Sequence, residues 1–190
     1  PRIDTPCTRE LYLMVTGPNG FVSDERTDAE HQVEWLAEGV PGFKITTRCK
    51  RGHYCTEKTF ITDDRLNVAL QHVQFSHLAE GHRVFVYLNP HLAAHGDGNT
   101  AWVGKYKDRT TLFAQRGDLA LAMICSCEYR VASVGFVGKS DGLDDLRECG
   151  KLIETFTRAA DGNVGMIGEL NLSASNQFTI ALGFGFGPPD

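Results

Sequence analysis

The sequence predicts an all-β fold of two large antiparallel sheets, and three observations carry that prediction. Short runs of alternating apolar and polar residues recur along the chain, separated by turn signals roughly every 8 to 12 residues. Twenty glycines against three methionines suit a chain of many tight turns. Helical periodicity is nearly absent: the one short helix expected is Leu143 to Glu148, set between Asp141-Gly142 and Cys149-Gly150. At 190 residues the chain can bury a sizeable core without staples, and it reads as a single domain over residues 1–190.

After Pro6, Glu10 to Thr16 carries large residues on both faces and reads as a central strand, which Gly17-Pro-Asn-Gly20 ends in a turn. Phe21 to Glu25 and Glu30 to Leu36 follow, with Thr27-Asp28 between them. Glu, Gln and Ala favour helix in the second run. Its His31, Val33 and Trp35 nevertheless alternate with Gln32 and Glu34, and the run stops at Gly39, so strand is the reading. Phe43 to Arg48 and Tyr54 to Thr62 pair as a hairpin across Arg51-Gly52, closed by Asp63-Asp-Arg65. Leu66 to Phe75 and Arg83 to Leu88 form a further pair, joined by His77 to Gly81. Val68 and Leu70 share one parity and Val73 and Phe75 the other, so a bulge near His72 is needed to bring all four to one face. Val84 to Leu88 is apolar on both sides and belongs deep inside.

Asn89 to Asn99 breaks the pattern with Pro90, two histidines, Gly96-Asp-Gly98 and no period. Irregular segments of this kind carry function or meet a partner. Strands resume with Trp102 to Tyr106, Thr110 to Gln115 and Leu119 to Ser126, although Leu119 to Ile124 also reads as a helical segment. Val131 to Val137 alternates into a turn, then Leu152 to Arg158, Val164 to Leu172 and Gln177 to Phe184 complete about thirteen strands. Pro188-Pro189 marks an exit.

A formal charge of −5 and a pI near 5.8, with charges that alternate in sign, give no basic face for nucleic acid or anionic membrane. The longest apolar stretch, Leu119 to Cys125, falls well short of the roughly 18 residues of a membrane helix. The six cysteines lack the spacing of a disulfide scaffold. Cys125 and Cys127 share a strand face, where a mutual bridge is strained. Cys49 and Cys55 flank a hairpin and could lie opposite each other as a bridge, and with His53 they supply three soft ligands, one fewer than a structural zinc site. Unpaired thiols are the reading, and they favour a reducing compartment; no metal and no cofactor is expected.

Acidic pairs are easily nominated among twenty-four acidic residues: Asp24 with Glu25, Asp63 with Asp64, Asp141 with Asp144 or Asp145. An inverting glycosidase needs two carboxyl groups roughly 6.5 to 9.5 Å apart. Each of these pairs sits at a turn or strand end, where aspartate bonds its own backbone or faces water, and that is how they are read. His91 and His95 with Asp97 make a candidate metal or proton-transfer cluster whose competing reading, a solvated loop, is preferred. Ser140-Asp141 lacks a positioned histidine and a nucleophile elbow, and Cys7 lies near no identifiable base. Trp35, Trp102 and Tyr106 have faces suited to a sugar ring but stand at strand spacing, where aromatics are more often core; Trp102 is the exception because it adjoins the irregular loop.

Gly138-Lys139-Ser140 has the tail of a phosphate-binding loop. That loop needs a first glycine five residues earlier, where Ser133 stands, and a longer helix behind it, so a strand and turn is the reading. The same stretch, Gly135-Phe-Val-Gly-Lys-Ser-Asp-Gly142 followed by Leu143-Asp-Asp-Leu146, resembles a run in the N-terminal domain of bacterial glucoamylases and glucodextranases, glycoside hydrolase family 15. Other runs agree in order: Ile3-Asp-Thr-Pro6 with Arg9, Phe21-Val22 with Glu25, Asn89-Pro90 leading to Gly98-Asn-Thr-Ala-Trp102, Gly162-Asn-Val164, Gly168-Glu169 and Ala181-Leu-Gly-Phe-Gly185. The resemblance covers essentially the whole chain.

It implies the two-sheet super-β-sandwich of those enzymes, akin to galactose mutarotase. It implies further that the chain is a fragment lacking a first strand and a C-terminal (α/α)6 barrel whose loops carry the catalytic glutamates. No catalytic residue is therefore expected here. The implied role is to pack on that barrel in an enzyme acting on α-glucan or maltooligosaccharide. Asn89, His91, His95, Asp97, Asn99 and Trp102 are the candidate interdomain or carbohydrate contact. The competing role is an autonomous carbohydrate-binding module, which needs a row of exposed aromatics on one face.

Overall fold

The computed structural model describes residues 7–63 and 65–187. Its strands are β1 (Thr8–Gly17), β2 (Phe21–Asp24), β3 (Ala29–Trp35), β4 (Gly42–Cys49), β5 (Tyr54–Thr62), β6 (Val68–Leu78), β7 (Arg83–Pro90), β8 (Asn99–Tyr106), β9 (Arg109–Arg116), β10 (Leu119–Cys125), β11 (Tyr129–Phe136), β12 (Arg158–Gly162), β13 (Val164–Leu170) and β14 (Gln177–Phe186). Two short helices, α1 (Glu25–Asp28) and α2 (Leu143–Cys149), interrupt them. The strands form a five-stranded sheet in the order β11-β13-β7-β1-β2 and a nine-stranded sheet in the order β12-β8-β9-β10-β14-β6-β5-β4-β3. The two-sheet antiparallel sandwich predicted from alternation is thus the fold.

Alternation along single strands builds two cores. From β1, Leu13 and Val15 point between the sheets, where Val84, Val86 and Leu88 of β7 and Val164, Met166 and Leu170 of β13 meet Val73, Phe75, Phe178, Ile180 and Met123 of the larger sheet. Tyr12, Met14, Phe85, Tyr87 and Ile167 face the other way, and α2 covers them with Leu143 and Leu146. Both faces of β1 and β7 are buried in mid-strand, which is why Tyr12 to Val15 and Val84 to Leu88 are large and apolar at every position.

The sheets are unequal, and the smaller leaves part of the larger uncovered. Over β5 the cover extends as far as Tyr54, whose hydroxyl lies 3.1 Å from Ser23 of β2, and Lys58, which is paired with Glu25 of α1. Beyond that pair, registers place Trp35, Phe43 and Phe60 in one row on the same inward face. Trp35 is 68% exposed there, and Val33, in the adjacent row with Ile45 and Lys58, is 60% exposed.

Four expectations are corrected. Leu66 to Phe75 and Arg83 to Leu88 do not pair: β6 lies between β5 and β14, whereas β7 lies between β1 and β13 in the other sheet. No bulge occurs near His72, because β14 holds an unbroken register from Gln74 to Val68; the irregularity falls at Ser76, opposite Cys55 and Thr56. Val68 and Leu70 accordingly lie on the opposite face from Val73 and Phe75. Leu152 to Arg158 is not a strand, since its backbone donors are taken by side chains. The Asp145 carboxylate accepts from Ile153 and Glu154, and Ser133 Oγ from Phe156. Finally, β2 stops at Asp24, whose side chain accepts from the Arg26 backbone and starts α1, so Glu25 lies in the helix. Leu119 to Ile124 is strand, and Cys49 and Cys55 are not joined.

Candidate interdomain and carbohydrate-contact surface

The irregular loop between β7 and β8 holds the six residues expected to make contact, and it divides them. Asn89 is 1% exposed and donates from Nδ2 to Asn163 Oδ1 at 3.0 Å and to the Val164 carbonyl at 2.8 Å. Asn99 is fully buried; its Oδ1 accepts from Leu92 N, and its Nδ2 donates to the carbonyls of His95 and Gly96 at 2.8 and 2.6 Å. Two asparagines thus replace the ladder partners that this irregular backbone lacks. They hold a loop in which Ala93 and Ala94 take positive φ of 57° and 63°, a conformation that alanine adopts only when its surroundings enforce it. Leu92 plugs the loop into the core.

The other four reach the surface. His95 and Asp97 are exposed, and Arg116 of β9 donates to the Asp97 carbonyl at 3.2 Å. His91 is half-buried beside Gly96; burial first, and then the positive charge of Arg9, lower its pKa. Trp102 stacks on Phe113 at 5.4 Å between centroids and 18° between planes, which covers one face of its indole. Among the described residues, no group of three or more His, Cys, Asp or Glu side chains could hold a metal ion.

The acidic pairs are engaged in local structure. Asp24 grips Arg26, Asp144 pairs with Arg147, and Asp63 accepts from the backbones of Arg65 and Leu66, which hold its carboxyl below the usual range. Asp64 lies outside the described residues. Glu25 is 4% exposed between Lys58 and the Leu13 N–H, which donates to it at 2.8 Å. Asp141 accepts from the Tyr87 hydroxyl at 3.0 Å, from Gly138 N at 3.1 Å and from Leu143 N at 3.3 Å.

The Gly135 to Gly142 stretch is therefore a latch that folds the end of β11 onto Tyr87 and starts α2. A Cβ on Gly135 would stand 1.8 Å from the Ser140 carbonyl oxygen, and Gly142 has φ +83° with Leu152 Cδ2 at 2.5 Å from the same added atom. Gly135 is required by the close approach of backbone, and Gly142 by its left-handed φ. No cradle for phosphate is formed.

Several features went unmarked in the sequence. The uncovered face at Val33 and Trp35 was visible only as a parity in β3. His53 turned out to face His82, with Nδ1 to Nε2 at 2.9 Å, and to stack on Phe21 at 3.9 Å. A polar cleft of about 450 Å³ opens beside it, lined by His82, Arg83, Arg130, Glu169 and Ser173, and none of the nominated site residues borders it.

The family model for domain N of glucodextranase matches residues 1–188. A glucoamylase from Clostridium sp. (strain G0005) is 29% identical over 189 residues, which are 97% of this chain and 27% of that protein. The crystal structure of a bacterial glucoamylase complexed with acarbose superposes with a TM-score of 0.92 at 28% identity, over 97% of this chain and 28% of that one. The family GH92 inverting mannosidase from Bacteroides thetaiotaomicron matches at TM-score 0.55 and 11% identity, over 94% of this chain and 22% of its own, a likeness of fold alone. The chain thus spans little more than a quarter of the glucoamylases it matches. By its motifs, its sandwich and its family match, this chain belongs to the glucodextranase domain N family.

Proposed function

We propose that this chain is the non-catalytic β-sandwich domain of a glucoamylase-type enzyme, one that releases glucose from α-glucan ends with inversion through a helical barrel. The observation that carries the reading is the match at TM-score 0.92 over 97% of the chain but only 28% of a glucoamylase. The acidic pairs support it, because those described here already hold backbone or cationic partners. The test is glucose release from maltooligosaccharides. The 190-residue chain should release none, and a longer polypeptide that includes the barrel should release it. Glucose from the chain alone would overturn the reading.

Two surfaces support contact with such a barrel. His95 and Asp97, with His91 and Trp102 beside them, present one edge of the sandwich. The uncovered face at Val33 and Trp35 is favoured by its apolar character, since a face of this kind on a folded domain is ordinarily covered by a neighbour. In the barrel-containing polypeptide, V33T/W35S should lower the unfolding temperature of the barrel, and H95A/D97A should leave it unchanged. The reverse result moves the contact to the loop. Loss of maltooligosaccharide binding by the W35S chain alone would instead make it a carbohydrate-binding module.

A further inference from the structure

We propose that Cys125 and Cys127 form a reversible dithiol–disulfide site that takes small-molecule disulfides as its oxidant. Their Sγ atoms lie 3.3 Å apart, within the range of a thiol hydrogen bond. The two cysteines do not share a regular strand face, because β10 ends at Cys125 and the chain bends at Ser126. That bend is held from three sides. Arg109 donates from Nη2 to the carbonyls of Cys125 and Ser126 at 2.9 and 2.8 Å, the Ser126 N–H reaches Thr179 O at 2.8 Å, and Thr179 N reaches Ser126 Oγ at 2.8 Å.

The two thiols are made unlike. Cys125 is 2% exposed, and donating to Cys127 together with burial raises its pKa. Cys127 is partly exposed; accepting that hydrogen bond lowers its pKa against the opposing effect of its partial burial, and backbone donors and the Arg109 guanidinium add to the lowering. The Tyr129 hydroxyl, buried with no hydrogen-bond partner, lies within electrostatic reach of both sulfurs. This is the arrangement of an attacking thiolate at the surface with a resolving thiol behind it.

The Cys127 thiolate attacks one sulfur of RS–SR, an S–S bond forms to Cys127, and RS⁻ leaves. Cys125 then gives its proton to that thiolate and attacks Cys127 Sγ, the mixed disulfide breaks, and a second RS⁻ leaves. Two protein thiols are oxidised and one small disulfide is reduced to two thiols. Excess RSH reverses both steps.

The chain is titrated with glutathione disulfide, quenched with iodoacetamide and mapped by peptide mass. A Cys125–Cys127 peptide lighter by two hydrogens and restored by dithiothreitol is expected, with no lasting glutathione adduct on either residue. C125S should stop at a stable glutathione adduct on Cys127, and C127S should leave Cys125 unmodified. In the unaltered protein, iodoacetamide should label Cys127 faster than the more exposed Cys149 near neutral pH. A stable adduct on Cys127 in the unaltered chain, or labelling of Cys127 no faster than Cys149, would overturn the proposal.

Discussion

Lys58 and Glu25 carry the largest electrostatic commitment of any described side-chain pair, because both are buried where β2 and α1 meet the larger sheet. Lys58→Met leaves the carboxylate with only the Leu13 N–H and should cost about 3 to 5 kcal/mol in urea unfolding, most of it recovered by adding Glu25→Gln. An unchanged midpoint in the single variant would show that the pair is hydrated. His53 makes a pH-dependent contribution. Burial, then the neighbouring charges of His82, Arg51 and His77, lower its pKa below 6.5. A histidine held below its unfolded value favours folding while both states are neutral. Its contribution is complete above pH 6.5 and is lost as pH falls through the lower folded value. Thermal unfolding between pH 7 and 5 should therefore fall less steeply in His53→Gln than in the unaltered chain.

At the level of elements, the β11 to α2 latch ties a seven-residue helix, too short to stand alone, to the outer face of the smaller sheet. Asp141 joins three donors from β7, the turn and α2, so Asp141→Ala strands a buried tyrosine hydroxyl and two N–H groups at once. It should cost about 3 kcal/mol, or roughly 6 to 12 °C in melting temperature, and Tyr87→Phe about 1 kcal/mol. Equal effects of the two changes would mean that the backbone donors find water. The same latch gives the most recognisable run in the sequence a structural role: its glycines and aspartate are fixed by backbone approach and capping. The sequence already argues against phosphate at Gly138-Lys139-Ser140, with Ser133 in place of the first glycine, and the Tyr87–Asp141 bond shows what the turn holds instead.

Across the whole molecule, one core joins both sheets, and strands adjacent in sequence repeatedly lie in different sheets, as β6 and β7 do. Trp35 sits on the edge strand β3, and Trp102 on β8, next to the opposite edge. These two tryptophans report on the far ends of the larger sheet. Urea transitions followed by fluorescence in W35F and in W102F should coincide with each other and with the far-UV signal. Separate midpoints would show that the overhanging strands β3 to β5 unfold as their own unit.

The sequence by itself determined the strand class, most boundaries and the family, because alternation of side chains and glycine at close approaches are local properties written into each segment. Asp24 and Asp63 bond the backbone of their own turns, as the sequence predicts, whereas Glu25 is buried in α1 against Lys58, Asp144 and Asp145 lie in α2, and Asp141 reaches Tyr87 across the sheet. Only the tertiary structure decided which strand lies beside which, since β6 looks the same whether β7 or β14 is its neighbour. It alone divided Asn89 and Asn99, which brace the loop from within, from His95 and Asp97, which face outward. It alone bared Trp35, whose parity marks an inward face but not whether the opposing sheet is wide enough to cover it. Cys125 and Cys127 meet for the same reason: a bend fixed by Arg109 and Thr179, far away in sequence, brings together two sulfurs that strand geometry would hold apart.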